Sequence, residues 1–508
     1  MKILSASQIK QWDEHTIKNK PIAGIDLMEH AATKCFNEII SLVEHNKIPQ
    51  NFKVFCGTGN NGGDGLVIAR LLKQRNFDVE VYILKSEYRT NDFNINYQKL
   101  TNLNIKPVWV DELFTFNNNT QIYTAIDALF GSGLNKPLQG TAAQMVNYIN
   151  STANFTIAID MPSGLPIEIS DADNLTYLTI VNADLTLTFQ VPKFSQLFAD
   201  TYKYVGNFKV LDIGLLPQFE ENIITNRFYV TDNEVKNVLK PKAKYSHKGT
   251  NGHVLIAGGS YGKMGSIILS AKAALATGCG LATCYIPKTG YTILQTALPE
   301  AMVLTDDDLY ELSNINNAPF ADGFAIGMGM GVSVQTKKTI SEFLKKVNKP
   351  LVIDADALNC CAELLNENKH FKFPENCILT PHPKEFDRLA GFSNNSFERF
   401  EKQLQFSHKH NVIVVLKGAH TCTTMPNGNA YFNSSGNPLL STAGSGDVLS
   451  GIIASLLAQG YASLQAAICG VYLHGLCADL AKQKQQATML AGDIVSYLPY
   501  ALNHLYQN

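Results

Sequence analysis

The residues able to do chemistry gather where apolar runs stop at glycine. Asp447 is the clearest case. It follows the small-residue turn Ala443-Gly444-Ser445-Gly446 and opens the apolar run VLSGIIASLLAQG. Glycines let backbone N–H groups converge on one point, and a helix start adds unpaired N–H groups and its positive dipole end. A carboxylate beside such an anion hole is what transfer of a phosphoryl group to a hydroxyl needs. An Asp before an apolar run is also an ordinary helix cap, and Asp447 alone leaves both readings open.

The first half offers a different set. The apolar run at 52–56 ends in Gly57-Thr58-Gly59-Asn60-Asn61-Gly62-Gly63-Asp64-Gly65, followed by a helical stretch at 66–74 and a strand at 79–84. Strand, glycine loop, helix, strand is a βαβ unit with a ligand loop at the carboxyl end of its first strand. The loop lacks the GxGxxG spacing of a dinucleotide fingerprint and the Lys of a P-loop. Its amides and carboxylate suit hard cations and sugar hydroxyls, although Asn and Gly are turn residues in any case. Two further runs stop at an acid and a turn: 123–127 at Asp127, and 155–160 at Asp160, which leads into Met161-Pro162-Ser163-Gly164. In a parallel sheet these ends share one edge, so Asn61, Asp127 and Ser163 are expected around one oxygen-lined cation site, with Asp160 close by.

In the second half, strands are expected at 253–257, 281–286, 325–326, 351–353, 378–379 and 412–416. They run into Gly258-Gly259, the Gly327-to-Gly331 alternation, Asp354, His382 with Glu385, and Lys417. Lys417, after an apolar run and before Gly418, suits a phosphate. His382 between two prolines is equally a rigid-turn residue, and Glu385 a first-turn helix acid.

These sites need two α/β scaffolds. Helical periodicity marks 9–17 and 25–43, and repeated strand-to-glycine transitions continue through both halves. Residues 215–226 read as a linker, 229–239 as a separate short element and 241–248 as a basic lead-in. The expected domains are therefore 1–215 and 225–508. With 508 residues, 45% hydrophobic and only 17% charged, the chain has material for large interiors. A net charge of -2 gives no field drawing it to nucleic acid or membrane, and no run of eighteen apolar residues suggests a span. Ten cysteines without a CxxC pair argue for reduced thiols, and a cytoplasmic location and a homo-oligomer are expected.

The motifs NNGGDG, DALFGSGL and DMPSG together resemble the YjeF N-terminal domain, the NAD(P)H-hydrate epimerase, over residues 1–215. The resemblance implies a Rossmann-like fold that interconverts the R and S epimers of hydrated NADH and NADPH. It implies that Asn60, Asn61, Gly62, Gly63, Asp64, Gly131, Ser132, Gly133, Leu134, Asn135, Lys136 and Pro137 line the substrate. It also implies that Asn61, Asp127 and Ser163 hold potassium and that Asp160 contacts substrate and does acid/base work. The motifs HKGTNGHVLIAGGS, LPEAMV, VIDADALN, TPHPKEF, KGAHT, STAGSGDVLSG and LAGDI resemble the ADP- or ATP-dependent NAD(P)H-hydrate dehydratases, which are ribokinase-like, over 225–508. That resemblance places Ser266, Gly331, His382 and Asp447 on the hydrated substrate and makes Asp447 catalytic. It places Lys417, Gly418, Ala419, His420, Thr421 and Gly446 on the nucleotide, with Mg2+ assisting. Ser266, Met328, Lys384 and Gly492 stand where that family has Ala, Pro, Gly and Ser. The fusion resembles the bifunctional NAD(P)H-hydrate repair enzymes, whose expected chemistry is epimerisation followed by dehydration through a phosphorylated intermediate. The competing expectation is a ribokinase-like small-molecule kinase with a non-catalytic scaffold or RNA-binding first half.

Overall fold

A computed structural model describes the whole chain except residues 21, 117–120, 135, 170–174, 176–177, 316–317, 376 and 507–508. The chain divides into two compact units. The first comprises Lys2–Thr225 with Asn395–Phe397, and the second comprises Asn226–Asn394 and Glu398–Asn508 with Met1.

The first unit is built on seven parallel strands: β1 (Asn51–Cys56), β2 (Asp78–Leu84), β3 (Val108–Val110), β4 (Thr124–Ala128), β5 (Phe155–Ile159), β6 (Leu185–Phe189) and β7 (Asn207–Leu211). They lie in the order β3-β2-β1-β4-β5-β6-β7, paired in parallel throughout. Chain order reverses between β1 and β4, which opens a crevice at their carboxyl ends. Phe52, Val54 and Cys56 on one face of β1 join one apolar cluster and Phe55 joins another, so this strand is covered on both sides.

The structure departs from the sequence expectation at two places here. The helix expected at 66–74 begins earlier and spans Asn60–Gln74, so Asn60, Asn61, Gly62, Gly63 and Asp64 form its first turn rather than a loop. Small size permits this: a Cβ on Gly62 would lie 1.8 Å from the Gly57 carbonyl oxygen. The segment expected as a linker after Leu215 is also folded. It carries the helix Pro217–Asn222, and Lys2 Nζ donates to the carbonyls of Glu220, Glu221 and Ile223 beside it.

The second unit holds a ten-stranded sheet: β8 (Arg227–Val230), β9 (His253–Ala257), β10 (Leu281–Ile286), β11 (Met302–Thr305), β12 (Gly323–Ile326), β13 (Leu351–Ile353), β14 (Ile378–Leu379), β15 (Ile413–Leu416), β16 (Cys422–Thr424) and β17 (Ala430–Asn433). The order is β11-β10-β9-β12-β13-β14-β15-β16-β17-β8. Only β16 runs antiparallel to its neighbours, and the reversal between β9 and β12 makes a second switch point. The stretch expected as a separate element supplies β8, which pairs with β17 at the sheet edge.

The helix Ser445–Ala458 lies buried against the helix Met264–Thr277, where a Cβ on Gly451 would fall 2.1 Å from the Ser270 carbonyl oxygen. Its fully buried Val448, Ile452 and Ile453 each contribute about 1.5–3 kcal/mol, which fixes the helix start in place. The helix Ser463–Gln483 is long and apolar enough to cross a membrane, but 72% of its most apolar window is buried inside the unit, as in a core helix. All ten cysteines are free and buried.

Candidate functional sites

At the first switch point, four strand ends deliver side chains to one place. Asp127 lies in β4 and is fully buried. It accepts hydrogen bonds from Ser163 Oγ at 2.6 Å, Ser163 N–H at 2.8 Å and Leu129 N–H at 3.2 Å. Burial raises its carboxyl to about 6 against these bonds. Asn61 comes from the first turn of the helix after β1, and its Nδ2 is buried without a hydrogen-bond partner. An amide's O and N are interchangeable by a flip, so the unpartnered atom can be an oxygen. Asn61, Asp127 and Ser163 then offer the hard oxygen donors that an alkali cation takes.

Asp160 follows β5 directly, with φ 65, a left-handed conformation that costs an L-residue roughly 1–2 kcal/mol. The surroundings hold it there. Lys193 Nζ donates to Oδ1 at 2.5 Å, Ser132 N–H to Oδ2 at 3.1 Å and Phe189 N–H to Oδ1 at 3.3 Å, while Gln196 donates to its carbonyl. Burial pushes this carboxyl up, but the Lys193 charge and the hydrogen bonds outweigh burial and hold it below its ordinary value. A Cβ on Gly131 would lie 3.1 Å from Asn61 Oδ1 and 3.3 Å from Asp160 Oδ2, so this glycine sits between the two. The turn from Gly131 through Ser132, Gly133 and Leu134 to Lys136 and Pro137 follows, while Asn135 lies outside the described residues. Asp64 is buried with Oδ1 unpartnered; burial, then Asp160, Asp13 and Asp92, push it well above the usual carboxylate range.

Sequence reasoning missed Lys193. It is 1% exposed and also donates to Thr188 Oγ1 and the Phe189 carbonyl. The available signal was a charged residue between Val191-Pro192 and Phe194, shortly after an apolar strand. Asp13 was missed as well: it sits on the amphipathic helix Ala6–Asn19, where burial and Asp160 raise it to about 7.

At the second switch point, Gly444 adopts φ 82, a conformation that favours glycine, and turns the chain into the helix Ser445–Ala458 with Asp447 in its first turn. Burial, then the Asp354 charge, raise Asp447 to about 6, against a hydrogen bond with Ser266 and the attraction of Lys417. Asp354 caps the helix Ala355–Glu367 and is buried; it accepts from Ser450 Oγ at 2.6 Å, Ala355 N–H at 2.8 Å and Lys417 Nζ at 3.2 Å. Lys417 Nζ lies 3.9 Å from Glu385 Oε2, and a Cβ on Gly446 would lie 3.3 Å from it. The ammonium therefore lies against the amide cradle.

His382 caps the helix Pro383–Ala390. Its Nδ1 accepts from Lys384 and Glu385 N–H, which leaves Nε2 to carry the proton and donate. Burial and then Lys417 hold it below its ordinary value, and its Nε2 lies 3.5 Å from Glu385 Oε1. Gly331 N–H donates to Asp356 at 2.8 Å, and Lys263 pairs with the same carboxylate. Lys417, Gly418, Ala419, His420 and Thr421 form the turn from β15 to β16, closed by Thr421 Oγ1 donating to the Gly418 carbonyl; His420 Nδ1 lies 3.1 Å from the Asn433 carbonyl. No group of three or more His, Cys, Asp or Glu able to hold a metal occurs among the described residues.

Comparisons with known proteins agree with this division. Residues 24–195 match the model of the YjeF-related protein N-terminus, and residues 254–500 match the NAD(P)H-hydrate dehydratase model. The bifunctional NAD(P)H-hydrate repair enzyme Nnr of Moorella thermoacetica is 34% identical over 99% of this chain and 97% of its own. The chain belongs to the bifunctional NAD(P)H-hydrate repair enzymes. The Escherichia coli member is 33% identical over 89% of this chain and 85% of its own. Among solved structures, a ribokinase-like superfamily protein from Enterococcus faecalis covers 56% of this chain and 99% of itself at 26% identity and a TM-score of 0.50. As an NAD(P)H-hydrate repair enzyme, the chain joins a Rossmann-like epimerase to a ribokinase-like, nucleotide-dependent dehydratase, and the kinase-plus-scaffold alternative falls away.

Proposed function

We propose that Asp447 is the base that starts dehydration and that Asp160 serves the epimerase. The observation that carries the first assignment is the placing of Asp447 in the first turn of a helix whose start is lined by Gly444, Ser445, Gly446 and the Lys417 ammonium. Hydrated NAD(P)H carries a hydroxyl on its ring, and water leaves poorly while phosphate leaves well. Asp447 takes the hydroxyl proton as the oxygen attacks the terminal phosphate of ADP or ATP. The Gly444-to-Gly446 amides and Lys417 stabilise the charge on the transferring group; phosphate then leaves with the electron pair of its C–O bond, and loss of a proton from the neighbouring ring carbon forms the double bond that restores the dihydropyridine. Gly418, Ala419, His420 and Thr421 carry the nucleotide next to Lys417. Ser266, through Asp447, and Gly331 and His382 orient the hydrate.

Mg2+ fits this pocket as a guest of the phosphates, because it keeps several waters and needs only one or two carboxylates, here Asp354 and Glu385 beside Lys417. Bound there, it would neutralise phosphate charge. Potassium fits Asn61, Asp127 and Ser163, where the unpartnered Asn61 amide provides the missing oxygen. Bound there, it would fix the turn beside the substrate. Asn60, Gly62, Gly63, Asp64 and the turn from Gly131 to Pro137 line the epimerase substrate.

The test uses the full chain with mixed R and S hydrates and ADP or ATP, followed by the absorbance of the reduced nicotinamide. Asp447→Asn should abolish recovery of absorbance while R and S still interconvert. Loss of both activities together would overturn the division of roles.

A further inference from the structure

Epimerising a carbon that bears both a hydroxyl and the ring nitrogen needs two opposite proton transfers. A base must take the hydroxyl proton, so that its electrons form a C=O bond while the carbon–nitrogen bond breaks. An acid must protonate the nitrogen that receives that bond's electron pair. Rotation about the neighbouring carbon–carbon bond then presents the other aldehyde face. Reclosure returns the nitrogen's proton to the acid and takes the alkoxide's proton from the protonated base, so the enzyme ends as it began.

The first unit contains groups suited to both tasks. Asp160 is held at both carboxylate oxygens, and its ammonium partner is itself saturated by Asp160, Thr188 and the Phe189 carbonyl. Asp64 is three residues after Asn61 on one helix, so the two share a face. Asn61 Oδ1 and Asp160 Oδ2 lie 3.1 and 3.3 Å from the position a Cβ on Gly131 would take. The Asp64 carboxyl on that face is buried with one oxygen unpartnered and close enough to Asp160 to feel its charge.

We propose that Lys193 is the positioning residue of epimerisation, clamping Asp160 as the fixed carboxylate base, while the carboxyl of Asp64 carries the proton that the ring nitrogen receives. This rests on the reading of Asp160 given above. Environment sorts the carboxyls: Lys193 holds Asp160 low, while burial and three other carboxylates hold Asp64 high. The other titratable groups facing them are Asp13 from the first helix, Asp92 from the helix Asn91–Thr101 and Cys35 from the helix Gly24–Glu44, whose thiol burial and then Asp64 and Asp160 push up.

The experiment follows R-to-S interconversion by full-length protein without nucleotide, above the uncatalysed rate, from pH 5.5 to 9. Lys193→Gln should lower kcat about 100-fold near pH 7 with KM little changed. The loss should shrink towards pH 9, because Asp160 without its cation ionises only at higher pH. Asp64→Asn should lower kcat about 100-fold at every pH, because an amide cannot supply the proton. Both tryptophans, Trp12 and Trp109, lie in the first unit, so their fluorescence reports whether that unit is folded. If Lys193→Gln unfolds it, Lys193→Arg decides: it keeps the charge, so kcat should fall while the pH profile stays put. Wild-type kcat in Lys193→Arg, a pH-independent loss with raised KM in Lys193→Gln, or an active Asp64→Asn would overturn the proposal. An active Asp160→Asn would overturn the underlying reading instead.

Discussion

Replacing Asp447 by Asn should remove dehydratase activity and at the same time make the second unit more stable. The wild-type carboxyl is raised from 3.8 to about 6 by burial and by the neighbouring Asp354 charge. The folded protein therefore holds a carboxylate in a place that disfavours it. A shift of about two units corresponds to about 3 kcal/mol, an upper bound for what ionisation costs the fold. Below pH 3.8 both folded and unfolded states are protonated and the cost vanishes. As pH rises from 3.8 to 6, stability is lost progressively, and above 6 the full cost applies. Asn keeps an oxygen to accept from Ser266 and carries no charge. For a unit of this size, about 2 °C of Tm per kcal/mol gives a gain of at most about 6 °C at pH 8, shrinking towards zero near pH 4. Calorimetry of wild type and variant at pH 5 and 8 measures it, with tryptophan fluorescence marking the first unit's own transition. A gain equal at both pH values, or a variant less stable at pH 8, would refute the idea that this carboxylate is strained by burial for the sake of its chemistry.

Dehydration by the wild type should fall as pH drops through about 6, since Asp447 must be ionised to act as base, and the acid limb of kcat reads this directly. Lys417→Met removes the cation beside buried Asp354 and should destabilise the second unit by about 3 kcal/mol as well as abolish nucleotide use, seen by denaturant titration and nucleotide calorimetry. Gly446→Ala places a methyl 3.3 Å from Lys417 Nζ and should raise the KM for nucleotide more than it lowers stability. Exchanging potassium for choline should weaken epimerisation and leave dehydration with ADP or ATP intact, checked in the two separate assays; Asn61→Ala should remove that sensitivity.

What the chain revealed before its structure was local. The strands β5, β9 and β15 are largely apolar runs followed directly by Asp160, Gly258 and Lys417, because a strand in the middle of such a sheet is buried on both faces and its carboxyl end meets the ligand crevice. The site residues on those ends could therefore be read directly. The start of the helix Asn60–Gln74 was hidden, because its first turn is written in Asn and Gly, residues that usually mark turns. Only the close approach to the Gly57 carbonyl and to Met28 explains them as packing residues. The strand Arg227–Val230 was hidden because it is short and pairs with a strand some two hundred residues later.

Lys193 shows why the remainder of the site was illegible. Nothing adjacent to it in sequence is acidic, and its partner lies 33 residues earlier, on the far side of another strand. A pair formed by topology has no spacing to read. The two sites also use one physical lever in opposite directions. Burial acts on Asp160 and Asp447 alike, raising both. In the first unit a cation at 2.5 Å overrides burial and gives a carboxylate that rests ionised, ready to take the hydroxyl proton and hand it back within one reversible exchange. In the second, Lys417 is held to Asp354 at 3.2 Å, leaving Asp447 near 6, basic enough to accept a proton and ionised at neutral pH. Placing the lysine on the base or beside it thus separates a carboxylate held low, which returns its proton at once to the same oxygen, from one raised to about 6, which keeps the proton while phosphate is transferred.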